Sequence, residues 1–357
     1  MSLTPPPRFH SLRVRDVIRE TLDAISVAFH VPDELAAAFA FSAGQYLTLR
    51  THLGGEEVRR SYSICSGVDD GEVRIAIKRV EGGVFSAWAQ EALRPGVTLD
   101  VMTPTGRFGA GAGPVHVGFA AGSGITPLLS IMKTVLSRDP QSRFFLFYGS
   151  RATAEILFRG VLEDLKDRYL GRLSVFHVLS QERQDVGVLN GRLDREKLAL
   201  LLARIVGSVA IDAAYVCGPS GMIDSVESVL GEIGVPAAQV HVERFHSSLG
   251  GRPQPKRAVA VTAEPHATAS VILDGARTEV GVAAGETVLE AAMRAGLDLP
   301  FACKGGMCST CRAKVVEGGV AMAVNYSLEK WETDAGFVLT CQAQPTTPHV
   351  VIDYDQQ

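Results

Sequence analysis

Apolar positions over residues 10–110 come in short runs: Phe9 to Val17, Ile25 to Val31, Tyr46 to Arg50, Glu72 to Val80 and Thr98 to Val101. Gly, Asp and Pro separate them, and short runs with turn residues between them predict an antiparallel β-barrel or sandwich. One stretch, Phe85 to Leu93, has helical period instead. From Pro114 the pattern changes. Apolar runs at Val115–Ala121, Arg143–Tyr148, Leu173–Ser180, Ala213–Cys217 and Val240–Phe245 alternate with amphipathic stretches at Pro127–Ser137, Ile156–Tyr169, Arg195–Ile205 and Met222–Ile233. That alternation predicts an open parallel sheet with helices on both faces. Ser247 to Arg257 is rich in Gly and Pro, the composition of a linker. Residues 258–357 open with two alternating strands around Asp274-Gly275, a hairpin signal, followed by a helix from Thr287 to Ala295 that Gly296 ends. The pattern therefore predicts a multidomain chain: a β-barrel over 1–112, an α/β open parallel sheet over 113–246, a linker over 247–257, and a smaller α+β domain over 258–357.

Composition narrows the function classes. The chain has 357 residues, 46% hydrophobic and 21% charged, which is globular rather than disordered. A formal net charge of -4 disfavours nucleic-acid binding through bulk basicity. The most apolar stretch, Val115 to Met132, is broken by Gly118, Gly122, Ser123, Gly124 and Pro127, so no membrane insertion is expected. The first residues, Met1 to Pro7, have neither the basic start nor the apolar core of a secretory signal, and a cytoplasmic protein is expected. The modest net charge hides a cancellation. Residues 258–357 carry six Lys/Arg against twelve Asp/Glu, net -6, while the first 257 residues carry +2. An acidic module of that kind suits electrostatic docking on a basic partner.

The six cysteines are unevenly placed. Cys65 and Cys217 stand alone, and Cys65 reads as buried structure. Cys303, Cys308 and Cys311 have the spacing C-x4-C-x2-C, with Cys341 following after 29 residues. This is the spacing of plant-type [2Fe–2S] sites, and four soft thiolates suit iron–sulfur or zinc. Zinc ribbons show two C-x2-C pairs where this chain has one. Gly305 and Gly306 let the backbone curl so that amide N–H groups can face cluster sulfides.

Two further segments carry nucleotide chemistry. Gly122-Ser123-Gly124-Ile125-Thr126-Pro127 follows an apolar run and opens a helix, a layout suited to a pyrophosphate. Pro127 stands where a Rossmann fingerprint has its third glycine. Gly82-Gly83-Val84-Phe85-Ser86 likewise precedes a helix. Arg60-Ser61-Tyr62-Ser63 lies on a β-like run, where the guanidinium suits phosphate and the tyrosine offers an aromatic face.

In this order, Arg60–Ser63, Gly82–Ser86, Pro104-Thr105-Gly106-Arg107-Phe108, Gly122–Pro127, Cys217-Gly218-Pro219 and the four-cysteine site resemble the ferredoxin–NADP reductase superfamily with a C-terminal plant-type ferredoxin. Ala43-Gly44-Gln45 departs from the Pro-Gly-Gln common there. The resemblance implies a β-grasp fold for the last domain and FAD in the barrel. Arg60 would bind flavin phosphate, Ser61 would belong to the same cofactor site, Tyr62 would lie against the isoalloxazine, and Ser63 would sit near its reactive N5. Gly83, Val84, Phe85 and Ser86 would receive the pyrophosphate. Gly122, Ser123, Gly124, Thr126 and Pro127 would bind NAD(P)H. Ser150 and Arg151 suit a 2′-phosphate, so NADPH is expected, with NADH the alternative. Cys217, Gly218 and Pro219 would meet the nicotinamide, and Glu243 and Phe245 would be candidates to shape its pocket or to cover the flavin. Ser63, Cys217 and Glu243 are the candidate catalytic residues. The three-module order resembles reductases of bacterial multicomponent oxygenases. Segments such as Phe9-His-Ser-Leu12, Glu81 to Ser86 and Val320 to Leu328 resemble the phenylacetyl-CoA epoxidase reductases among them. That implies a terminal oxygenase of the diiron class as partner and a place in phenylacetate degradation. Reductases of Rieske and steroid hydroxylase systems, and stand-alone flavin reductases, share enough of the pattern to remain alternatives.

Overall fold

The computed structural model describes residues 7–245 and 265–356; the expected linker, 247–257, lies outside them. The first sheet is built from β1 (Phe9–Thr21), β2 (Ala24–His30), β3 (Tyr46–Leu53), β4 (Glu56–Ser63), β5 (Val73–Lys78) and β6 (Thr98–Met102), with helix α1 (Val84–Ala92) inserted before β6. Its order is β4-β3-β6-β1-β2-β5. The two edges meet just beyond β4. Ile64 bridges Ile75 of β5 in antiparallel fashion, and the Cys65 amide donates to the Arg74 carbonyl at 2.8 Å. A closed sheet leaves no unpaired edge. Alternating residues Leu12, Val14, Val27, Leu47, Leu49, Ile75 and Ile77 fill the interior, each worth about 1.5–3 kcal/mol on full burial. Cys65 is buried as expected, its thiol donating to the Arg74 carbonyl at 3.3 Å.

The second sheet alternates strands with helices: β7 (Val115–Ala121), α2 (Ile125–Arg138), β8 (Arg143–Ser150), α3 (Arg159–Arg168), β9 (Leu173–Leu179), α4 (Arg195–Leu201), β10 (Ala213–Gly218), α5 (Ser220–Glu232) and β11 (Val240–Arg244). All its strand pairs are parallel. Leu128, Met132 and Leu162 from α2 and α3 pack in one core cluster, Leu198, Ile223 and Val226 from α4 and α5 in another, so helices cover both faces as the pattern required. Two boundaries differ from expectation. The helix expected from Ile156 starts only at Arg159, because Phe158 takes a left-handed φ of 59°. Ile156, Leu157 and Phe158 are buried nonetheless, so their apolar period reflects packing of a loop. The helix expected through Ile205 leaves α geometry after Leu201 and continues as a π turn over Leu202–Val206.

The last unit comprises β12 (Ala267–Leu273), β13 (Ala276–Val282), α6 (Val288–Arg294), β14 (Arg312–Glu317), β15 (Val320–Met322), α7 (Lys330–Asp334), β16 (Phe337–Leu339), β17 (Ala343–Pro345) and β18 (His349–Asp353). Its main sheet runs β13-β12-β18-β14-β16, and β15 pairs β17 separately. Asp274 (φ 54°) and Gly275 (φ 74°) make the β12–β13 turn, the two positive φ values a type I′ hairpin needs. Thr287 caps α6 in a reciprocal box with Glu290. This sheet and the two preceding ones fall into separate compact units, the parallel sheet and the barrel sharing one, except that Phe9, His10 and Arg59–Ser61 group with the last unit.

Within the last unit Glu332, 1% exposed, accepts from Arg312 at 2.8 Å and from the Glu329 amide at 3.0 Å. Removing one partner of a buried pair strands the other charge. Glu332→Ala is expected to cost about 3–5 kcal/mol, read by denaturant unfolding of the full chain; a loss below about 1 kcal/mol would place the pair in the range of solvent-screened surface bridges.

Candidate functional site

In the parallel sheet the chain runs β7, β8, β9 outward, then returns past β7 to β10 and β11. The strand order reverses between β7 and β10, and ligands of open α/β sheets bind at such a switch point. Gly122–Gly124 follows β7 there, and Cys217-Gly218-Pro219 lies at the end of β10, with Cys217 opposite Ala120. The two turns pack so closely that a Cβ on Gly124 would lie 2.1 Å from the Cys217 carbonyl oxygen. No side chain caps α2, and its Ile125 amide turns back to the Gly122 and Ser123 carbonyls. The Thr126 hydroxyl donates to the Ser123 carbonyl at 2.9 Å, and Pro127 sits in the first turn, where its missing N–H costs nothing. One contributor has no signal in the motif itself: the Tyr148 hydroxyl donates to the Gly122 carbonyl at 3.0 Å.

The barrel meets this switch point. Ser63, at the end of β4 and buried, donates to Glu243 Oε2 at 3.3 Å. Glu243 on β11 lies directly opposite Cys217 on β10. The three candidate catalytic residues, from three strands, are thus brought together. Burial pushes the Glu243 carboxyl up to about 8, against the Ser63 hydrogen bond that lowers it. Burial also pushes the Cys217 thiol well above its ordinary value, and a charge on Glu243 would raise it further. At neutral pH both groups therefore hold their protons. Phe245 is half-buried against the core cluster that contains Cys217.

Around Ser63, Tyr62 is half-buried with its ring centroid 5.7 Å from that of Phe85. Ser61 is half-buried and Arg60 exposed, its guanidinium donating to the Arg59 carbonyl at 2.7 Å. Gly83 precedes α1, again with no side-chain cap, and Val84 is exposed. The Ser86 hydroxyl accepts from the Val80 amide at 3.0 Å and donates to the Gly83 carbonyl at 3.3 Å. It braces the turn, and the open amides at the start of α1 are the groups suited to a pyrophosphate. A half-buried aromatic ring and an uncapped helix start fit a dinucleotide flavin. Ser150 is buried at the end of β8. Arg151 is exposed and ion-paired with Glu155, with Asp23 3.8 Å away. A 2′-phosphate there would have to draw the guanidinium from these carboxylates.

The cysteine loop turns through left-handed positions at Lys304 (φ 52°), Gly306 (φ 75°) and Ser309 (φ 47°). The Gly305 amide thereby donates to Cys303 Sγ at 3.3 Å and the Cys303 amide to Cys308 Sγ at 3.5 Å. The thiols pair two and two. A hydrogen bond with Cys308 lowers the Cys303 thiol, helped by the amides of Gly305, Met307 and Cys308, and Cys311 does the same for Cys341; Cys308 and Cys311 are raised in return. Among the described residues no three ligands are arranged to hold a single metal ion. Four thiols with amides aimed at sulfur fit a [2Fe–2S] cluster, which the four cysteines would hold as thiolates.

Comparison with known proteins accords with this geometry. Residues 11–109 match the oxidoreductase FAD-binding domain, residues 119–228 the oxidoreductase NAD-binding domain, and residues 271–346 the 2Fe-2S iron-sulfur cluster binding domain. The last match decides between cluster and zinc. The chain is 46% identical to one of the subunits of 1,2-phenylacetyl-CoA epoxidase from Escherichia coli (strain K12), over 97% of this chain and 98% of that one. It is 33% identical to the ferredoxin reductase component of 3-ketosteroid-9-alpha-monooxygenase from Rhodococcus rhodochrous, over 96% of each chain. The structure of phthalate dioxygenase reductase shares the fold, with a TM-score of 0.59 and 22% identity over 97% of this chain and 98% of that one. Among the described residues no helix is long and apolar enough to cross a membrane.

Proposed function

The chain belongs to the family of oxygenase reductase components that join FAD-binding, NAD-binding and 2Fe-2S domains, and from that membership we propose that it carries electrons from NADPH to a diiron oxygenase that epoxidises phenylacetyl-CoA. The observation that carries the narrower part is the 46% identity to the epoxidase component over nearly the whole of both chains. The 33% identity to the ketosteroid monooxygenase component keeps a steroid hydroxylase system as the second reading.

When bound, FAD takes two electrons from the reduced nicotinamide and the [2Fe–2S] cluster hands them on singly. The chain's own residues bind and orient. The amides at the start of α1 and of the Gly122–Gly124 turn before α2 receive phosphate groups, with Arg60 supplying charge. Tyr62 offers its ring face to the isoalloxazine. Ser63 and Glu243 reach the space between barrel and sheet from opposite sides, and Cys217 closes it with a neutral, buried thiol. Ser150 and Arg151 take the 2′-phosphate that distinguishes NADPH from NADH. Cys303, Cys308, Cys311 and Cys341 supply four thiolates. The acidic unit over residues 258–357 steers toward a basic oxygenase surface, and its thiol site and pyridine-nucleotide substrate suit a reducing cytoplasm.

Reconstitution tests the proposal. The loaded protein mixed with the oxygenase component of a phenylacetyl-CoA epoxidase, phenylacetyl-CoA and oxygen is expected to form epoxide, with higher kcat/KM for NADPH than for NADH. Absence of epoxide, together with turnover by a steroid or Rieske oxygenase, would reassign the partner and leave the electron-transfer roles standing.

A further inference from the structure

The backbone turn after β7 has to meet an anion, and which way its carbonyls face decides whether it can. A carbonyl oxygen directed at a phosphate repels it, while an amide N–H attracts it. Gly122 takes a left-handed φ of 55°, and its carbonyl and that of Ser123 are both tied off. Thr126 holds the Ser123 carbonyl. The Ile125 amide reaches both carbonyls, and the Gly122 carbonyl has a second donor, the Tyr148 hydroxyl at 3.0 Å.

Tyr148 comes from the neighbouring strand, at the position opposite Ala120, and is fully buried. Its phenolic oxygen is also approached by the Ser150 hydroxyl and the Leu157 amide, both on the donor side. An amide can only donate and a carbonyl only accept, so the hydroxyl proton is directed to Gly122. Burial raises the phenol further above its ordinary range, which keeps the proton in place. The Gly122–Gly124 turn is held on its other side by Gly124 against the Cys217 carbonyl.

We propose that Tyr148 is a positioning residue for the pyridine nucleotide: by holding the Gly122 carbonyl inward it keeps the amides of this turn facing the dinucleotide pyrophosphate. The inference rests on Gly122–Pro127 being the pyrophosphate site.

The test measures equilibrium binding to the flavin- and cluster-loaded protein by calorimetry, with NADP+, ADP-ribose and 2′-AMP as ligands. Tyr148→Phe removes one oxygen and keeps the ring. NADP+ and ADP-ribose, which contain a pyrophosphate, are expected to bind about three- to tenfold more weakly, the range for one lost hydrogen bond. 2′-AMP, which has none, is expected to change by less than about twofold on the same scale. In steady state the KM for NADPH rises by the same factor while kcat at saturation holds. Unchanged binding of all three ligands would overturn the proposal. So would equal weakening of 2′-AMP, which would mean a general disturbance of the adenosine side. A parallel Gly124→Val variant, checked for retained flavin absorbance, tests the site itself. If it binds NADP+ as the unmodified protein does, the pyrophosphate reading fails whatever Tyr148→Phe does; if it loses binding and Tyr148→Phe does not, only the role of Tyr148 falls.

Discussion

Cys311→Ser is expected to bring oxygenase-coupled turnover below about 1% of the unmodified level while NADPH-dependent ferricyanide reduction persists. Substitutions in the outer shell of a metal site already cost about 10–100-fold, and removing a ligand costs more. A serine oxygen is a hard donor where iron–sulfur chemistry calls for a soft thiolate. The geometry sharpens the expectation, since Cys311 pairs with Cys341 in a buried cluster that includes Leu339, Ala313 and Tyr354. Losing one member would leave the cluster three thiolates where it needs four. Apart from Arg59–Ser61, the FAD-binding and NAD-binding segments lie in a different compact unit, so reduction of a small flavin-level acceptor should survive. Iron and sulfide content, visible absorbance and both activities check the prediction. Undiminished oxygenase turnover without the cluster would point to a diaphorase whose last unit has no part in electron delivery. Because metal binding and folding are linked, the variant is also expected to unfold at lower denaturant concentration in that unit.

The parts of this site that were legible in the sequence are those whose chemistry is local. The cysteine spacing is a property of one loop and its return strand, and Gly122–Pro127 is a strand, a turn and a helix start in succession. The acidic balance of the last hundred residues is likewise a count. What could not be read is what the tertiary fold assembles. Ser63, Cys217 and Glu243 could each be named as candidates, yet nothing along the chain says that a barrel residue donates to a carboxylate opposite Cys217. That contact exists because β4 ends where the parallel sheet reverses its strand order. Barrel closure was equally hidden, since it runs through Ile64 and Cys65 after the strand has ended. Phe158 illustrates a local failure: the period from Ile156 matches a helix, and only the left-handed backbone of Phe158 shows that the helix starts at Arg159. Tyr148 closes an apolar run, Arg143–Tyr148, and by that pattern reads as core. The available signal was a hydroxyl at the buried end of a strand, beside a glycine turn.

The pH dependence of flavin reduction by NADPH is expected to follow Glu243. Its carboxyl lies at about 8 because burial penalises the charge. The adjacent Arg244 is committed to Asp224 and Glu227 on α5, at 3.4 and 2.9 Å, and the groups facing Glu243 are the Ser63 hydroxyl and the Cys217 thiol. Below about 8 the carboxyl carries a proton and can donate a hydrogen bond into the space between barrel and sheet. Above it the group only accepts, and its charge falls on the Cys217 thiol. The rate of flavin bleaching in a stopped-flow mixture should therefore fall as pH rises through about 8. Glu243→Gln keeps a donor at every pH and should flatten that inflection. Glu243→Ala, which loses the contact to Ser63 altogether, should slow reduction about a hundredfold, the scale of a misplaced reactant, at all pH values. Stability carries the same sign. A carboxyl raised in the folded state contributes stability that is full below its unfolded value of 4.5 and is lost as pH rises through about 8. Glu243→Gln should therefore gain on the unmodified protein at about pH 9 and not at about pH 4. An inflection near 8 that survives in Glu243→Gln would assign the titration to another group and leave Glu243 a packing role only.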